Sequence, residues 1–178
     1  VGEASDWNTI ATGWGTGYAS YMSAHTLAIN SSGELYAWGD NARGQLGLGD
    51  IYMRTTPTRV GVAANWNKVA CGDMHSLAIN SSGELYAWGD NRYKQLGLDD
   101  TTDRNTPTRV GEASNWIDIG CTAQCSAAIN SLGELYMWGR NAYGELGLGD
   151  KVTRGIPTKV GSAANWVSIA CGYRQSLA

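Results

Sequence analysis

Phenylalanine is absent from these 178 residues, and charged side chains make up only 16% of them. There is no run of lysine and arginine and the formal net charge is −3, so the basic footprint of a nucleic-acid or anionic-membrane binder is missing. No apolar run approaches the ~20 residues of a membrane-spanning helix, so membrane insertion is not expected. No Cys-x-x-Cys occurs, and the two histidines, His25 and His75, stand at equivalent places one repeat apart, which argues against zinc. No charged-then-apolar leader opens the chain and its first residue is Val, so the expectation is a processed start or an excerpt of a longer protein.

What the chain has is twenty-four glycines, eight tryptophans and a repeat. The stretch from Gly83 to Gly97 has near copies beginning at Gly33 and Gly133, fifty residues to either side. Its centre, Leu85-Tyr86-Ala87-Trp88, is apolar on both faces of a period-two strand, and Gly83, Gly89 and Asp90-Asn91 bracket it with turn signals. Such a strand must be covered on both sides, which a single unit cannot do for itself. Seven tryptophans fall into two series, Trp7, Trp66, Trp116 and Trp166, then Trp38, Trp88 and Trp138; only Trp14 stands outside.

Taken in order, residues 1–59, 60–109 and 110–159 are three repeats and 160–178 is a first half only. Each full unit reads as four short strands: after the first Trp, at Ser-Leu-Ala-Ile, at Leu-Tyr-Ala-Trp and at Pro-Thr-Arg-Val. Four strands per ~50 residues fit a propeller blade, and the glycine spacing excludes a helical repeat. The expected fold is therefore an all-β propeller with about three and a half blades present. Ala70-Cys71-Gly72, all small, suits the crowded end of a blade near the axis.

The first repeat carries nine extra residues near 13–21, Gly-Trp-Gly-Thr-Gly-Tyr-Ala-Ser-Tyr. Insertions into repeat proteins map to loops on one face and are often the binding device, so Trp14, Tyr18 and Tyr21 are candidate partner-binding residues. An Ω-like loop packing its own aromatics is the alternative. Cys71, Cys121 and Cys171 share one repeat position, with Cys125 irregular. A whole structural unit separates such positions, whereas a disulfide needs Cα atoms within about 7 Å. They are expected to be small buried thiols, which fits a reducing compartment.

Gly-Glu-Leu-Tyr-Ala-Trp-Gly-Asp-Asn, Gln-Leu-Gly-Leu, Pro-Thr-Arg-Val and Ala-Cys-Gly-Asp-Met-His-Ser-Leu-Ala, recurring at a fixed period over the whole chain, resemble the regulator of chromosome condensation repeat. The resemblance implies a β-propeller, most often seven-bladed, with four strands per blade. Activities known in that family include nucleotide exchange on the small GTPase Ran, chromatin contact, interaction platforms and plant ultraviolet-light reception. The receptor motif is of the Gly-Trp-Arg-His-Thr type. Its counterparts, Gly72-Asp73-Met74-His75-Ser76 and Gly172-Tyr173-Arg174-Gln175-Ser176, lack Trp, so photoreception is not supported.

His25, His75, Cys125 and Gln175 occupy one repeat position, and a catalytic or metal role would not tolerate three residue types there, so they are read as meeting local hydrogen-bond needs. Asp50 with Arg54, Asp100 with Arg104 and Asp150 with Arg154 recur at one offset and are expected to clip their own loops. Asp99, Asp100 and Asp103 lack the alternation of a calcium loop and are read as a solvated turn. No catalytic residues, metal or cofactor are expected. Four first halves against three second halves do not close a ring, so the ends are expected to meet further blades of a longer chain, as part of a seven-bladed ring, or another subunit in a multi-chain assembly. The reading is a non-catalytic propeller serving as a protein-interaction or structural scaffold. The alternatives are a guanine-nucleotide exchange factor and a surface adhesin or fibre component using Trp14, Tyr18 and Tyr21.

Overall fold

A computed structural model describes residues 6–13 and 24–171, and the backbone of 176–177. Among the described residues every regular element is a strand. β1 (Trp7–Thr12), β2 (His25–Asn30), β3 (Leu35–Gly39) and β4 (Arg54–Arg59) form one antiparallel sheet in that order. β5 (Trp66–Cys71), β6 (His75–Asn80), β7 (Leu85–Gly89) and β8 (Arg104–Arg109) form the second. β9 (Trp116–Cys121), β10 (Cys125–Asn130), β11 (Glu134–Gly139) and β12 (Arg154–Ala164) form the third, and β13 (Ala170–Cys171) pairs with β14 (Ser176–Leu177) in a further two-stranded sheet. The strands lie where the sequence places them, except that the first of each blade begins on its tryptophan rather than after it.

The three sheets share one register. Leu27 faces Ala37 and Leu77 faces Ala87, while in the third the large residue has changed strand, so that Ala127 faces Met137. Volume across the strand pair is kept, which is the exchange a close-packed interior tolerates best. β6 and β10 are buried along their whole length, as expected of strands covered on both faces.

The cores lie between blades rather than within them. Leu27, Ile29, Leu35 and Leu46 of the first blade pack against Trp66, Val69, Ala78 and Trp88 of the second. One repeat later, Leu77, Ile79, Leu85 and Leu96 meet Trp116, Ile119, Ala128 and Trp138. Period-two alternation produces this: along β6, Leu77 and Ile79 point to the following blade and Ala78 to the preceding one. The first strands, β1, β5 and β9, are next to one another and so lie innermost. That puts Ala70-Cys71-Gly72 at the inner edge, as its small residues suggested. Cys121 and Cys125 are buried and Cys71 is partly so; no disulfide links the described cysteines.

Passage from blade to blade depends on a glycine. The Trp66 N–H donates to the Gly33 carbonyl at 3.0 Å, and Trp116 and Trp166 repeat the bond to Gly83 and Gly133 at 3.1 Å. Gly33 has φ +76°, and a Cβ there would sit 2.7 Å from the Ala64 carbonyl oxygen, so no other residue lets the crossing chain approach.

Trp88 and Trp138 are fully buried in seams, whereas Trp38, their counterpart in the first blade, is half-buried, with no second blade packed on it among the described residues. Trp88→Ala or Trp138→Ala is expected to destabilise the chain by ~3–5 kcal/mol, and Trp38→Ala by less than about half of that. Urea unfolding checks the difference; equal losses at Trp38 and Trp88 would contradict the seam packing.

Candidate functional site

Each seam closes through a chain of buried polar groups. His25 Nε2 lies 2.9 Å from Ser76 Oγ, and the Ser76 hydroxyl donates to the Gln45 carbonyl at 2.8 Å. That same carbonyl accepts the Trp88 indole N–H at 2.8 Å. The next seam repeats it: His75 with Ser126 at 2.9 Å, and Ser126 and Trp138 donating to the Gln95 carbonyl at 2.7 and 2.9 Å. The serine proton is spent on the carbonyl, so histidine must be the donor to serine, through Nε2–H.

This direction excludes the chemistry that a His–Ser pair suggests. A general base must accept the serine proton and needs a group to orient its Nδ1–H. Here Nδ1 of both histidines is buried with no partner, and burial pushes the pKa of His25 down to about 3 and of His75 to about 4. The shared position of His25 and His75 does serve hydrogen bonding, but between blades and not within its own loop.

A second framework holds the connection from the third strand to the fourth. Asn41, fully buried, donates to the Asp50 and Tyr52 carbonyls at 3.0 and 3.1 Å and accepts the Leu46 N–H at 2.9 Å. Arg54 meets Asp50 at 2.6 Å and also donates to the Tyr52 carbonyl. Arg104 with Asp100, and Arg154 with Asp150, repeat the clip at 2.6 and 2.5 Å. Arg54 and the Tyr52 N–H hold the Asp50 carboxyl below its ordinary range. The three aspartates read as one solvated turn in fact divide: Asp99 goes to Lys94, Asp100 to Arg104, and Asp103 crosses the seam to Arg43.

The opposite end has a repeated framework of its own. Asn30, Asn80 and Asn130 are buried in the hairpin between the second and third strands, each donating to Glu34, Glu84 or Glu134 at 2.7–2.8 Å and accepting two backbone N–H groups. Asn30-Ser31-Ser32 and Asn80-Ser81-Ser82 have the form of glycosylation acceptors, but in the folded chain their amides are committed to the turn.

Strand direction sorts the connections into two ends. Gly39 pairs with both His25 and Arg54, so the β1–β2 and β3–β4 connections leave at one end, and the Asn30 hairpin lies at the other. In the hairpins 30–35, 80–85 and 130–135 only Ser32, Ser82 and Leu132 differ. In the long connections 40–53, 90–103 and 140–153 only Asn41, Leu46, Gly47, Leu48, Asp50 and their counterparts are the same. The clip itself presents Ile51-Tyr52-Met53, then Thr101-Thr102-Asp103, then Lys151-Val152-Thr153. Ile51, Tyr52 and Met53 are all exposed. Trp14, Tyr18 and Tyr21 lie outside the described residues; Gly13 and Ala24, which flank them, are at the same long-connection end.

The third blade departs from the pattern at that end. Where the second has Gly72, His75, Asp90 and Gln95, the third has Thr122, Cys125, Arg140 and Glu145. Gly72 and His75 go together, because a Cβ at 72 would lie 2.3 Å from the His75 ring. Cys125 removes the ring and Thr122 fits, its Oγ1 accepting the Cys125 N–H at 3.0 Å. The Cys125 thiol donates to the Arg140 carbonyl at 3.1 Å, and burial pushes its pKa up to about 11. The sequence held this signal in the changed residues, but only the seam geometry shows that they are adjacent.

Because both histidines are buried and neutral, their folded pKa values lie below the unfolded 6.5, and this stabilisation is complete above that value and lost as pH falls towards 4 and 3. At pH 5 each is expected to cost about 2 kcal/mol. Unfolding free energy measured from pH 8 to 5 should drop accordingly, and His25→Gln with His75→Gln should flatten that limb; an unchanged slope in the double variant would contradict it.

Comparison with known proteins agrees with this architecture. The family model described as the regulator of chromosome condensation (RCC1) repeat matches residues 32–79, 82–129 and 133–178. The crystal structure of Prp20p from Saccharomyces cerevisiae is 25% identical with a TM-score of 0.77, over 85% of this chain and 40% of that one. The Ras guanine nucleotide exchange factor C of Dictyostelium discoideum is 58% identical over 36 residues, which are 20% of this chain and 2% of that protein. Human E3 ubiquitin-protein ligase HERC2 is 46% identical over 50 residues, 27% of this chain and 1% of that protein. The chain thus spans a small fraction of its curated relatives and under half of Prp20p. With the repeat model covering most of its residues and its strands arranged as blades, the chain belongs to the regulator of chromosome condensation (RCC1) repeat family.

Proposed function

We propose that this chain is a section of a β-propeller that serves as a non-catalytic protein-interaction scaffold, with the long-connection end facing the partner. The observation that carries the reading is the contrast between the two ends. Hairpins that change at one position only are under a folding constraint, whereas loops that keep their clip and change everything between its jaws are free to differ in what they contact. Exposed Ile51, Tyr52 and Met53 on a backbone fixed by Asn41, Asp50 and Arg54 form an apolar contact set that loses little entropy on binding. The polar groups that could suggest catalysis are consumed by the seams. Prp20p has binding properties towards Gsp1p and histones, which supports a protein partner here. The half-buried Trp38 face of the first blade is where a further blade of this kind, in the same polypeptide or a second copy, would seat.

Exchange of guanine nucleotide on a small GTPase is the second reading, favoured by the likeness to Ras guanine nucleotide exchange factor C. Release of labelled GDP from a GTPase panel at the intrinsic rate would remove it.

For the scaffold reading, Ile51→Ser with Tyr52→Ser and Met53→Ser is expected to weaken capture of a crosslinked partner by about tenfold or more at unchanged thermal stability. Ser32→Asp with Ser82→Asp, at the hairpin end, should leave capture unchanged. The opposite pattern would place the contact at the hairpin end.

A further inference from the structure

Arg140 is the one arginine among the described residues without a carboxylate partner; every other, from Arg43 to Arg154, is ion-paired. Its position holds Asp40 and Asp90 in the first two blades, where the aspartate accepts the Gln45 or Gln95 amide at 2.7 and 2.8 Å. In the third blade one end of that bond has changed sign, to Arg140, and the other has gained a negative charge, as Glu145, yet the two form no ion pair. Glu145 Oε2 accepts the Tyr143 N–H at 2.7 Å, while Arg140 turns to Gln124, donating to its Oε1 at 2.6 Å.

The guanidinium is also held by two rings, with Cζ 5.3 Å from the Tyr93 centroid in the preceding blade and 5.5 Å from that of Tyr143. Both distances are within the ~6 Å range of a cation–π contact. Gln124 uses one of the five guanidinium N–H donors, so a planar fork remains, oriented before any ligand arrives. Beside it is a cleft of about 30 Å³ lined by Gln124, Cys125, Arg140, Tyr143 and Glu145, large enough for a carboxylate or a couple of waters. Tyrosine and arginine are the residue types that dominate protein interfaces, and Tyr143 is 74% exposed.

We infer that Arg140, stacked between Tyr93 and Tyr143, is a binding site for the side-chain carboxylate of an acidic polypeptide segment, one specific contact within the partner-facing end proposed above, on which it rests. A carboxylate matches the fork with two parallel N–H···O bonds. Glu145 on the same cleft opposes it, so the site discriminates: the affinity must come from the stacked fork and not from a general positive field.

The repeat supplies variants whose residues hold the same positions in the first two blades. Glu145→Gln restores the residue of the first two blades and is expected to tighten binding about threefold by removing the repulsion. Arg140→Asp with Glu145→Gln rebuilds the Asp–Gln bond of the first two blades and should abolish binding while the chain stays folded. Tyr143→Ala should weaken it about threefold to tenfold.

The test is a titration of the isotope-labelled full chain with acetyl-Gly-Glu-Asp-Glu-Gly-amide, its Gln/Asn counterpart, and acetyl-Gly-Gly-Gly with a free C-terminus. The readout is the Arg140 Nε–H resonance. A saturable shift with the acidic peptide that is absent from the double variant is the expected result. The same shift with the amide peptide, a stronger one with the free C-terminus, equal shifts at all arginines, or none would overturn it. Failure here removes the carboxylate site and leaves the scaffold reading standing; loss of partner capture by hairpin-end variants alone would instead move the partner contact to the other end, whatever the peptide titration reads at Arg140.

Discussion

One backbone carbonyl per seam, that of Gln45 or Gln95, takes both a serine hydroxyl and an indole N–H from the following blade. A blade cannot supply these donors to itself, and its Leu and Ile side chains have no cover without the neighbour. The two effects have different sizes. Burying a tryptophan removes ~150–250 Å² from water, worth roughly 4–6 kcal/mol before costs, whereas each hydrogen bond nets about 1 kcal/mol. Apolar burial therefore drives stacking. The hydrogen bonds decide its register, because a slip would strand a buried carbonyl, a hydroxyl and an imidazole together.

Much of this was legible in the chain. The apolar run Leu85-Tyr86-Ala87-Trp88 with glycines on both sides announced a strand covered twice, and period and turn chemistry placed four strands per unit. The clip of Asp50 on Arg54 was readable because a fixed offset of opposite charges within one loop is a local property. The seam was not readable. His25 meets Ser76 and Asp103 meets Arg43, partners 51 and 60 residues apart, and nothing local marks one as the other's acceptor. A similar separation in sequence hid the contact of Arg140 with Tyr93.

The seam also explains how the two ends of the molecule came to differ. Closing a blade onto its neighbour fixes the strands, the crossing at Gly33 and the hairpin at Asn30, so those residues repeat almost unchanged. The long connections need Asn41, Leu46, Gly47, Leu48, Asp50 and Arg54 to hold their shape. The other positions are freer of folding duty, and there the blades diverge: an apolar triplet in the first, Asp103 turned back to Arg43 in the second, and Arg140 between two tyrosines in the third.

The dependence of each blade on its neighbour is tested most directly by hydrogen exchange at three chemically identical groups, the indole N–H of Trp38, Trp88 and Trp138. The two seam indoles are fully buried and bonded to a carbonyl of the preceding blade, while Trp38 is half-buried with no such partner among the described residues. Exchange at Trp88 and Trp138 should require opening of a seam and be slower than at Trp38 by orders of magnitude. Three indoles exchanging at one rate would mean that the blades are stable individually, and would contradict the account.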